Sequence, residues 1–269
     1  MRIVLVDSSH LFGVIYSASG QAENPNVLDF FKTCVNSVKK SIREIQPDYV
    51  LVAIDDYQSS WRREKNPCYC QSGYDMPIEF KKGISIYQEL LSEAGIFFAS
   101  RPGMEGKDII GTICKKMEGS VSAKIYILSG NKRYIPILRD GVTLRNNFSR
   151  NPSDVEKTIA SIARNIGLTP EQMHAVHLLS GDKSIGFDGV KGIGEKTAIE
   201  LIKPYKNIHE LTDNSYKIDG KRGENIRTSL NGIIEGFSDV LVPNTELELG
   251  FSLSSLLFKK QNKKEKVAA

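Results

Sequence analysis

The stretch Tyr49-Val50-Leu51-Val52-Ala53-Ile54-Asp55 decides the fold of this chain. A short apolar run that ends at an acid is typical of a buried strand in a parallel sheet. A second such run, from Arg2 to Val6, ends at Asp7. Between the two runs, apolar residues recur at helical spacing up to Ile45. Strand, helix and strand in this order predict a βαβ unit.

The same rhythm continues further along the chain. Strands are predicted at Ile96 to Ala99 and at Lys124 to Leu128, and helices at 77–94 and about 105–118. This alternation predicts the α/β class, with a doubly wound, mainly parallel sheet in a domain that covers residues 1–150.

The pattern changes after Pro152 to short helices joined by glycine-rich turns, with no strand expected until the stretch near Val240. We therefore predict a second, helical region over residues 151–250. Thr169 is expected to cap a helix, because a proline and then a glutamine follow it at capping-box spacing. Residues 251–269 form a basic tail, either solvated or in contact with phosphate.

Composition places the chain among ordinary globular proteins. It has 269 residues, of which 40% are hydrophobic and 25% charged, and a formal net charge of +4. Its four cysteines are too scattered for a disulfide framework or a zinc site, so we expect free thiols in a reducing cytoplasm. No apolar run is long enough for a signal peptide or a membrane span, and no membrane contact is expected.

Acidic side chains mark one edge of the predicted sheet. Asp7 and Asp55 end two strands, and Glu105 and Asp108 lie three residues apart at the start of a predicted helix. Because such an edge is the crevice of an open parallel sheet, the four carboxylates would converge there and hold Mg²⁺ or Mn²⁺. Any one of the four carboxylates alone is as well explained as a helix cap or turn residue. For the adjacent Asp56 this explanation is favoured, because only one of two neighbouring strand-end residues can point inward.

Two further segments suggest contact with a phosphate backbone. Residues 58–76 are polar, interrupt the βαβ rhythm and overhang the acidic edge. Residues 189–198 form a glycine turn that opens into a helix, where glycines allow close approach of a phosphate and the helix N-terminus offers N–H donors. His174 and His177 precede this turn and are interpreted as packing and surface residues, since no third metal ligand is near them in sequence.

These segments together resemble the 5′-3′ exonuclease domain of bacterial DNA polymerase I and the related phage flap endonucleases, over about residues 2–250. Residues 54–62 resemble the family's "FD…FR" segment and residues 105–112 its "EADDxIGT". Residues 129–133 resemble "TGDKD", and residues 181–198 resemble "GDxSDNIPGVPGIGEKTA", the most specific match. The resemblance implies a PIN-like domain with an arch insertion at about 58–76 and a C-terminal helix-hairpin-helix (H3TH) region.

The resemblance also assigns metal ligands and shows where this chain departs from the family. It implies two metal sites, whose remaining acids are Asp7, Asp55, Glu105, Asp108 and Asp182. Four of the nine acidic positions in the family pattern are replaced, at Lys107, Asn131, Arg133 and Ile185. The second site would be lost, and both basic replacements would compete with a divalent ion. At most one Mg²⁺ or Mn²⁺ is expected.

The arch departs from the family in the same direction. The family's "YPEYKANR" carries a lysine and an arginine over the scissile phosphate, and here Cys70 and Gly73 stand in those places. The DNA grip is largely retained, and the resemblance implies K⁺ held by main-chain carbonyls of the hairpin. The expected DNA-contacting residues are Trp61, Arg62, Tyr69, Lys183, Gly189, Lys191, Gly192, Gly194, Lys196 and Thr197.

Three hypotheses about function follow from these residues. The first is a flap-endonuclease-like protein that binds branched or 5′-ended DNA, has lost most or all hydrolysis and serves DNA replication or repair in a bacterial cell or a phage-infected host. The second is an active nuclease that uses one metal. The third is a protein-interaction subunit that keeps only the fold, and the retained hairpin lysines argue against it.

Overall fold

A computed structural model describes residues 1–19, 26–70, 76–120, 122–148 and 155–258. Its centre is a six-stranded sheet with the order β3-β2-β1-β4-β5-β6. The first five strands pair in parallel, and β6 is antiparallel to β5. The strands are β1 (Arg2–Asp7), β2 (Tyr49–Ala53), β3 (Phe98–Ala99), β4 (Lys124–Leu128), β5 (Val142–Arg145) and β6 (Glu156–Lys157).

Eleven α-helices and several 3₁₀ turns surround this sheet within the described ranges. The helices are α1 (Ser8–Ala18), α2 (Val27–Ile45), α3 (Trp61–Lys65), α4 (Ile78–Lys82), α5 (Ile84–Glu93), α6 (Gly106–Lys116), α7 (Ile159–Asn165), α8 (Pro170–Ser180), α9 (Glu195–Ile202), α10 (Ile208–Asp213) and α11 (Gly220–Phe237).

Both faces of the sheet are covered. Along β1, Ile3 and Leu5 belong to one hydrophobic core and Val4 and Val6 to the other, as the alternation of side chains along a strand requires. The first core contains α6 and continues into the C-terminal helices, and the second packs against α2 and α5. The predicted doubly wound, mainly parallel sheet is therefore confirmed.

Side-chain caps mark the start of two helices, one of which was predicted. Asn26 caps α2 by accepting a hydrogen bond from the amide of Asp29, at 3.1 Å. At α8, Thr169 and Gln172 form the predicted capping box, with reciprocal bonds of 3.1 and 2.9 Å. These contacts satisfy N–H groups that a helix leaves unpaired at its start.

Other predicted boundaries were wrong. The helix predicted at 77–94 is two helices that break at Gly83. The strand predicted near Val240 is a turn, in which the Val240 side chain is fully buried. The expectation of no strand between Pro152 and Val240 was also wrong, because β6 continues the sheet past residue 150. A two-residue edge strand carries no apolar pattern from which to predict it.

The chain after α11 returns to the first domain. The return segment, residues 238–258, crosses α6, where the amide of Asn244 donates to Asp108 at 2.8 Å. Near its end the amide of Phe258 donates to the carbonyl of Asp48 at 2.9 Å, next to β2. The two regions thus share one continuous core. No described helix combines the length and apolar character needed to span a membrane.

Candidate functional site

The carboxyl ends of β1 and β2 bring two aspartates to the edge of the sheet. Asp7 is almost fully buried and caps α1, and one of its oxygens accepts a 2.8 Å bond from the hydroxyl of Ser129 beyond β4. Asp55 accepts a 2.6 Å bond from the amide of Gly106. Burial raises the pKa of Asp55, and the charge of Lys107 opposes that rise. Asp56, by contrast, binds the amides of the adjoining turns, as predicted for a turn residue.

Asp108, predicted to be a metal ligand, is saturated by the protein. Its two oxygens accept five hydrogen bonds: two from Arg62, one from the Trp61 indole, and one each from the amides of Glu105 and Asn244. Burial would raise the pKa of Asp108, but the Arg62 guanidinium lowers it below the ordinary value. Asp108 therefore acts here as an anchor inside the core.

Arg62 is the other half of this anchor. Its side chain has no exposed surface, and its guanidinium also donates to the carbonyls of Val240 and Val242 in the return segment, at 2.9 and 2.7 Å. The expectation that Arg62 contacts DNA does not match this position, because the side chain has no face toward solvent. Trp61, which packs under the Arg62 guanidinium, is half-buried.

Tyr69 is the centre of a second buried network, around Glu105. Its hydroxyl donates to Glu105 at 3.1 Å and accepts from Lys107 at 3.1 Å and from Arg133 at 3.0 Å. Lys107 also forms an ion pair with Glu105. Burial raises the pKa of Tyr69 to about 12 and lowers the pKa of Lys107, next to Arg62 and Arg133. Tyr69 is 2% exposed, so little of its side chain is open to contact with DNA.

The positions assigned to the second metal site now hold a basic network. Arg133 forms an ion pair with Asp182 at 3.3 Å and donates to Ser184 at 3.1 Å and to Asn131 at 3.2 Å. Asn131 caps the 3₁₀ turn that carries Arg133. Ile185 is buried, and its carbonyl accepts a 3.0 Å bond from the amide of Cys70.

The glycine turn (residues 189–194) lies in sequence between residues 180–185 and Glu195, which line one cleft together with residues of the carboxylate edge. Gly189 has φ +67°, and a Cβ there would lie 2.3 Å from the amide nitrogen of Gly181, so only glycine fits. Val190 and Ile193 are buried and fix the turn, which opens into α9 with Gly194 as its cap. The predicted DNA-contacting side chains Lys183, Lys191 and Lys196 are exposed around it.

The cleft between these two parts is lined from both sides. Asp55, Tyr69 and Lys107 come from the carboxylate edge, and Asp182, Lys183 and Glu195 from the region of the glycine turn. Gly73 and the tail residues 259–269 lie outside the described residues, so the predictions for them stay untested.

Sequence reasoning missed several contributors to the site. Ser60 donates to Glu105 at 3.0 Å and Ser129 to Asp7 at 2.8 Å, and neither serine stands at a recognisable spacing from its partner. His177 lines the cleft, is 7% exposed and leaves both ring nitrogens without a hydrogen-bond partner among the described residues. Burial lowers the pKa of His177 to about 4, so this ring is neutral at pH 7.

Comparison with known proteins places the chain in a family. Residues 2–167 match the profile of the 5′-3′ exonuclease N-terminal resolvase-like domain. Residues 168–264 match the profile of the 5′-3′ exonuclease C-terminal SAM fold. The chain belongs to the 5′-3′ exonuclease family.

Individual members of the 5′-3′ exonuclease family are distant in sequence. Flap endonuclease Xni of Aliivibrio fischeri is 25% identical over 265 residues, which is 97% of this chain and 98% of that protein. DNA polymerase I of Mycobacterium bovis is 28% identical over 193 residues, which is 72% of this chain. That match covers only 21% of the polymerase, so this family member corresponds to about a fifth of that protein.

A solved structure shares the fold of this 5′-3′ exonuclease family member. A flap endonuclease of bacteriophage T5, described as a pseudo-enzyme-product complex with DNA and metal ions, superposes with a TM-score of 0.67 at 19% identity. The superposition covers 91% of this chain and 90% of the phage chain. The resolvase-like domain, the SAM-like region and the mostly parallel sheet agree with it.

The phage relative's metal ions raise the question whether the residues of this chain fit such ions. Within the described ranges, no three His, Cys, Asp or Glu side chains come together as a metal site. Glu105, Asp108 and Asp182 are each paired with a basic side chain instead. As arranged here, the edge does not fit a two-metal centre.

Proposed function

We propose that this family member binds branched or 5′-ended DNA, hydrolyses it slowly or not at all, and serves as an accessory factor in DNA replication or repair. One observation carries the proposal: protein cations stand where the family resemblance expects carboxylates and their metals. Lys107 pairs with Glu105, and Arg133 pairs with Asp182, with the Lys107 and Arg133 side chains about nine-tenths buried.

The charge balance at the edge supports weak hydrolysis. Clustered carboxylates bind a divalent cation because their mutual repulsion needs a counter-charge. Here Arg62, Lys107 and Arg133 supply that counter-charge from within the chain. A metal entering the edge would have to break buried ion pairs, and separating a buried pair costs about 3–5 kcal/mol.

The glycine turn supports DNA binding. Gly194 leaves open space in front of the first turn of α9, where free backbone N–H groups favour an anion such as a phosphate. Lys191 and Lys196 flank this point and are exposed. We interpret the turn as a helix-hairpin-helix that tracks the DNA backbone without reading sequence, with K⁺ bound at its carbonyls.

The phage relative makes this combination reasonable. It is a variant with one aspartate replaced by lysine, and its structure is described as a pseudo-enzyme-product complex with DNA and metal ions. We infer by analogy that a member of this fold retains its hold on DNA when its acidic cluster is altered.

A second candidate is a nuclease that uses a single metal at Asp7 and Asp55. It is favoured by one observation: neither aspartate forms an ion pair with another residue that the structure describes. In this reading the Ser129 hydroxyl fixes the Asp7 carboxylate, and the Gly106 amide fixes the Asp55 carboxylate, which lines the cleft.

A cleavage assay separates the candidates. The purified protein and its Asp7→Ala variant are incubated with a labelled 5′-flap duplex and Mg²⁺ or Mn²⁺. We expect both to cleave equally slowly, within background. Robust cleavage by the parent that Asp7→Ala abolishes would instead establish the second candidate.

A companion variant tests the reason for low activity. Replacing Lys107, Asn131 and Arg133 together by aspartate restores three acids, and we expect this triple variant to gain a Mn²⁺-dependent rise in melting temperature that the parent lacks. A parent protein that already shows this rise would contradict the proposed role of the buried cations. Absence of a gel shift with the flap duplex at ~50 mM salt would favour the interaction-subunit reading.

A further inference from the structure

A basic surface at the start of α11 is not explained by the glycine turn alone. The segment from Ser215 to Arg227 carries four basic residues against two acidic ones. Three of the basic residues, Lys217, Lys221 and Arg222, are exposed near the N-terminal end of the helix. We name these three residues the α11 patch.

The α11 patch is joined to the glycine turn by a direct hydrogen bond. The side-chain amide of Asn225 donates to the carbonyl of Lys191 at 2.8 Å. Lys221 and Arg222 precede Asn225 by four and three residues, so all three lie on one side of the helix. At about 1.5 Å rise per residue, Lys221 is displaced by roughly 6 Å and Arg222 by roughly 4.5 Å along the helix axis from the contact with the turn.

Contacts between α11 and the 3₁₀ turn before it also fix the position of the α11 patch. Arg227 donates to the carbonyls of Ser215 and Ile218, at 2.8 and 3.2 Å, and so holds the preceding 3₁₀ turn against α11. Gly223 packs on the carbonyl of Ile218 in the same place. The cations are therefore presented from a rigid element and not from a loop.

Lys221 and Arg222 are also free to bind an external anion. Neither forms an ion pair with another described residue, whereas Lys132 and Lys203 are neutralised by Glu195 and Glu200. Lys217 lies over the ring of Tyr216, which is 67% exposed. Unpaired cations on a fixed surface fit a polyanion better than a protein partner of mixed charge.

We propose that the α11 patch is a second phosphate-binding surface, which extends the DNA contact of the glycine turn along the backbone of one duplex. Successive phosphates along one strand of B-DNA are separated by about 3.4 Å of helix axis, so cations displaced by roughly 4.5–6 Å from the turn reach phosphates one to two steps further along the strand. The inference rests on the proposed DNA binding of the glycine turn and adds to it a longer footprint.

A salt titration tests the inference. Fluorescence anisotropy measures the affinity for a labelled 5′-flap duplex between 50 and 200 mM salt, for the parent and for the Lys221→Ala, Arg222→Ala double variant; these concentrations are about the range over which phosphate contacts dominate. We expect the slope of log K against log salt to fall by about 2 and the affinity at ~0.1 M salt to fall roughly 50-fold.

Two controls decide what that loss means. Lys39→Ala with Arg43→Ala removes the same charges from an exposed face of α2 and should leave the slope unchanged. The charge-conserving Lys221→Arg, Arg222→Lys variant should bind like the parent, because phosphate contact needs the charge and not the side-chain identity. If the slope of this variant is as low as that of the double alanine variant, the inference is overturned.

The proposed function and the α11 inference fail in different ways. Lys191→Ala with Lys196→Ala at the glycine turn should lower the slope independently. If that variant lowers it and the α11 variant does not, the footprint proposal is overturned and the DNA binding of the turn stands. If the parent shows no salt-dependent binding, both are overturned.

Discussion

The carboxylate edge and the residues on either side of the glycine turn line one cleft, but the basic side chains of the edge and of the turn are in opposite states. At the edge, Arg62, Lys107 and Arg133 are buried and paired with acids. Around the turn, Lys191 and Lys196 are exposed and form no ion pair with other described residues. The difference separates two classes of basic side chain: the buried ones neutralise acids of the chain itself, and the exposed ones carry charge that no described acid neutralises.

The largest expected effect is the loss of stability when a buried ion pair at the carboxylate edge is removed. Arg62→Ala leaves the Asp108 carboxylate buried without a counter-charge, which should lower the free energy of unfolding by about 3–5 kcal/mol. Urea denaturation followed by circular dichroism measures this. The neighbouring Arg63 is exposed, so Arg63→Ala is the matched control and should change stability by less than ~0.5 kcal/mol. Equal losses in both variants would contradict the anchor role.

A smaller effect on stability is expected at the neutral imidazole of His177, which lines the cleft. Because the pKa of His177 falls from 6.5 to about 4 on folding, its stabilising contribution is complete above pH 6.5 and is lost as the pH drops toward 4. At pH 5 the loss is about 2 kcal/mol. His177→Leu should therefore gain stability relative to the parent between pH 7.5 and pH 5, measured by urea denaturation at both values.

The control for this experiment is His209→Leu, because the ring of His209 is exposed on α10. It should keep the pH dependence of the parent. A His177→Leu variant that loses stability with falling pH as steeply as the parent would show that another buried group titrates.

A smaller effect again, on DNA affinity, is expected at the exposed glycine turn. Gly194 has an ordinary φ of −91°, and no atom lies within 4 Å of the Cβ that alanine would add, so the free protein should tolerate Gly194→Ala to within about 1 kcal/mol. If DNA approaches the turn closely, that methyl group meets the phosphate backbone. We expect about a tenfold loss of affinity for duplex DNA by anisotropy.

Gly232→Ala on α11 provides the comparison for this variant. Its Cβ also points into open space, and alanine in mid-helix should add stability of about 1 kcal/mol with no change in DNA affinity. Unchanged affinity in Gly194→Ala would mean that DNA contacts the cleft elsewhere.

The smallest expected effect is at the hydroxyl that links Lys107 and Arg133. Tyr69→Phe removes three hydrogen bonds at one atom and should cost about 1 kcal/mol in unfolding free energy. Tyr216→Phe, at an exposed ring, should cost less than half of that. If Tyr69→Phe loses no stability, water replaces the hydroxyl as the hydrogen-bond partner of Glu105, Lys107 and Arg133.

Much of the fold could be predicted because its central strands are continuous apolar runs. Leu5 and Leu51 are both fully buried in the middle of strands that the run lengths predicted. The edge of the sheet could not be predicted in the same way. Strand β6 is Glu156 and Lys157, and what makes it a strand is pairing with β5, which leaves no trace in the local sequence.

The site was predictable in its composition but not in its contacts. Lys107 and Arg133 were recognised as basic residues at acidic positions, and the structure pairs both with acids. Arg62 was expected to contact DNA because residues 54–62 resemble the family's "FD…FR" segment and lead into the overhanging segment. Its true neighbours, Asp108 and Val240, are 46 and 178 residues away, and no local spacing encodes such distances.

The return segment has a consequence for how this protein forms during synthesis. Strands β1 and β2 are synthesised long before the return segment, which supplies the carbonyls that hold Arg62 and the backbone contact beside Asp48. Contacts of such long sequence separation slow folding. The first domain therefore remains incomplete until residues 238–258 have been translated, and nascent chains that lack them should depend on protection from aggregation.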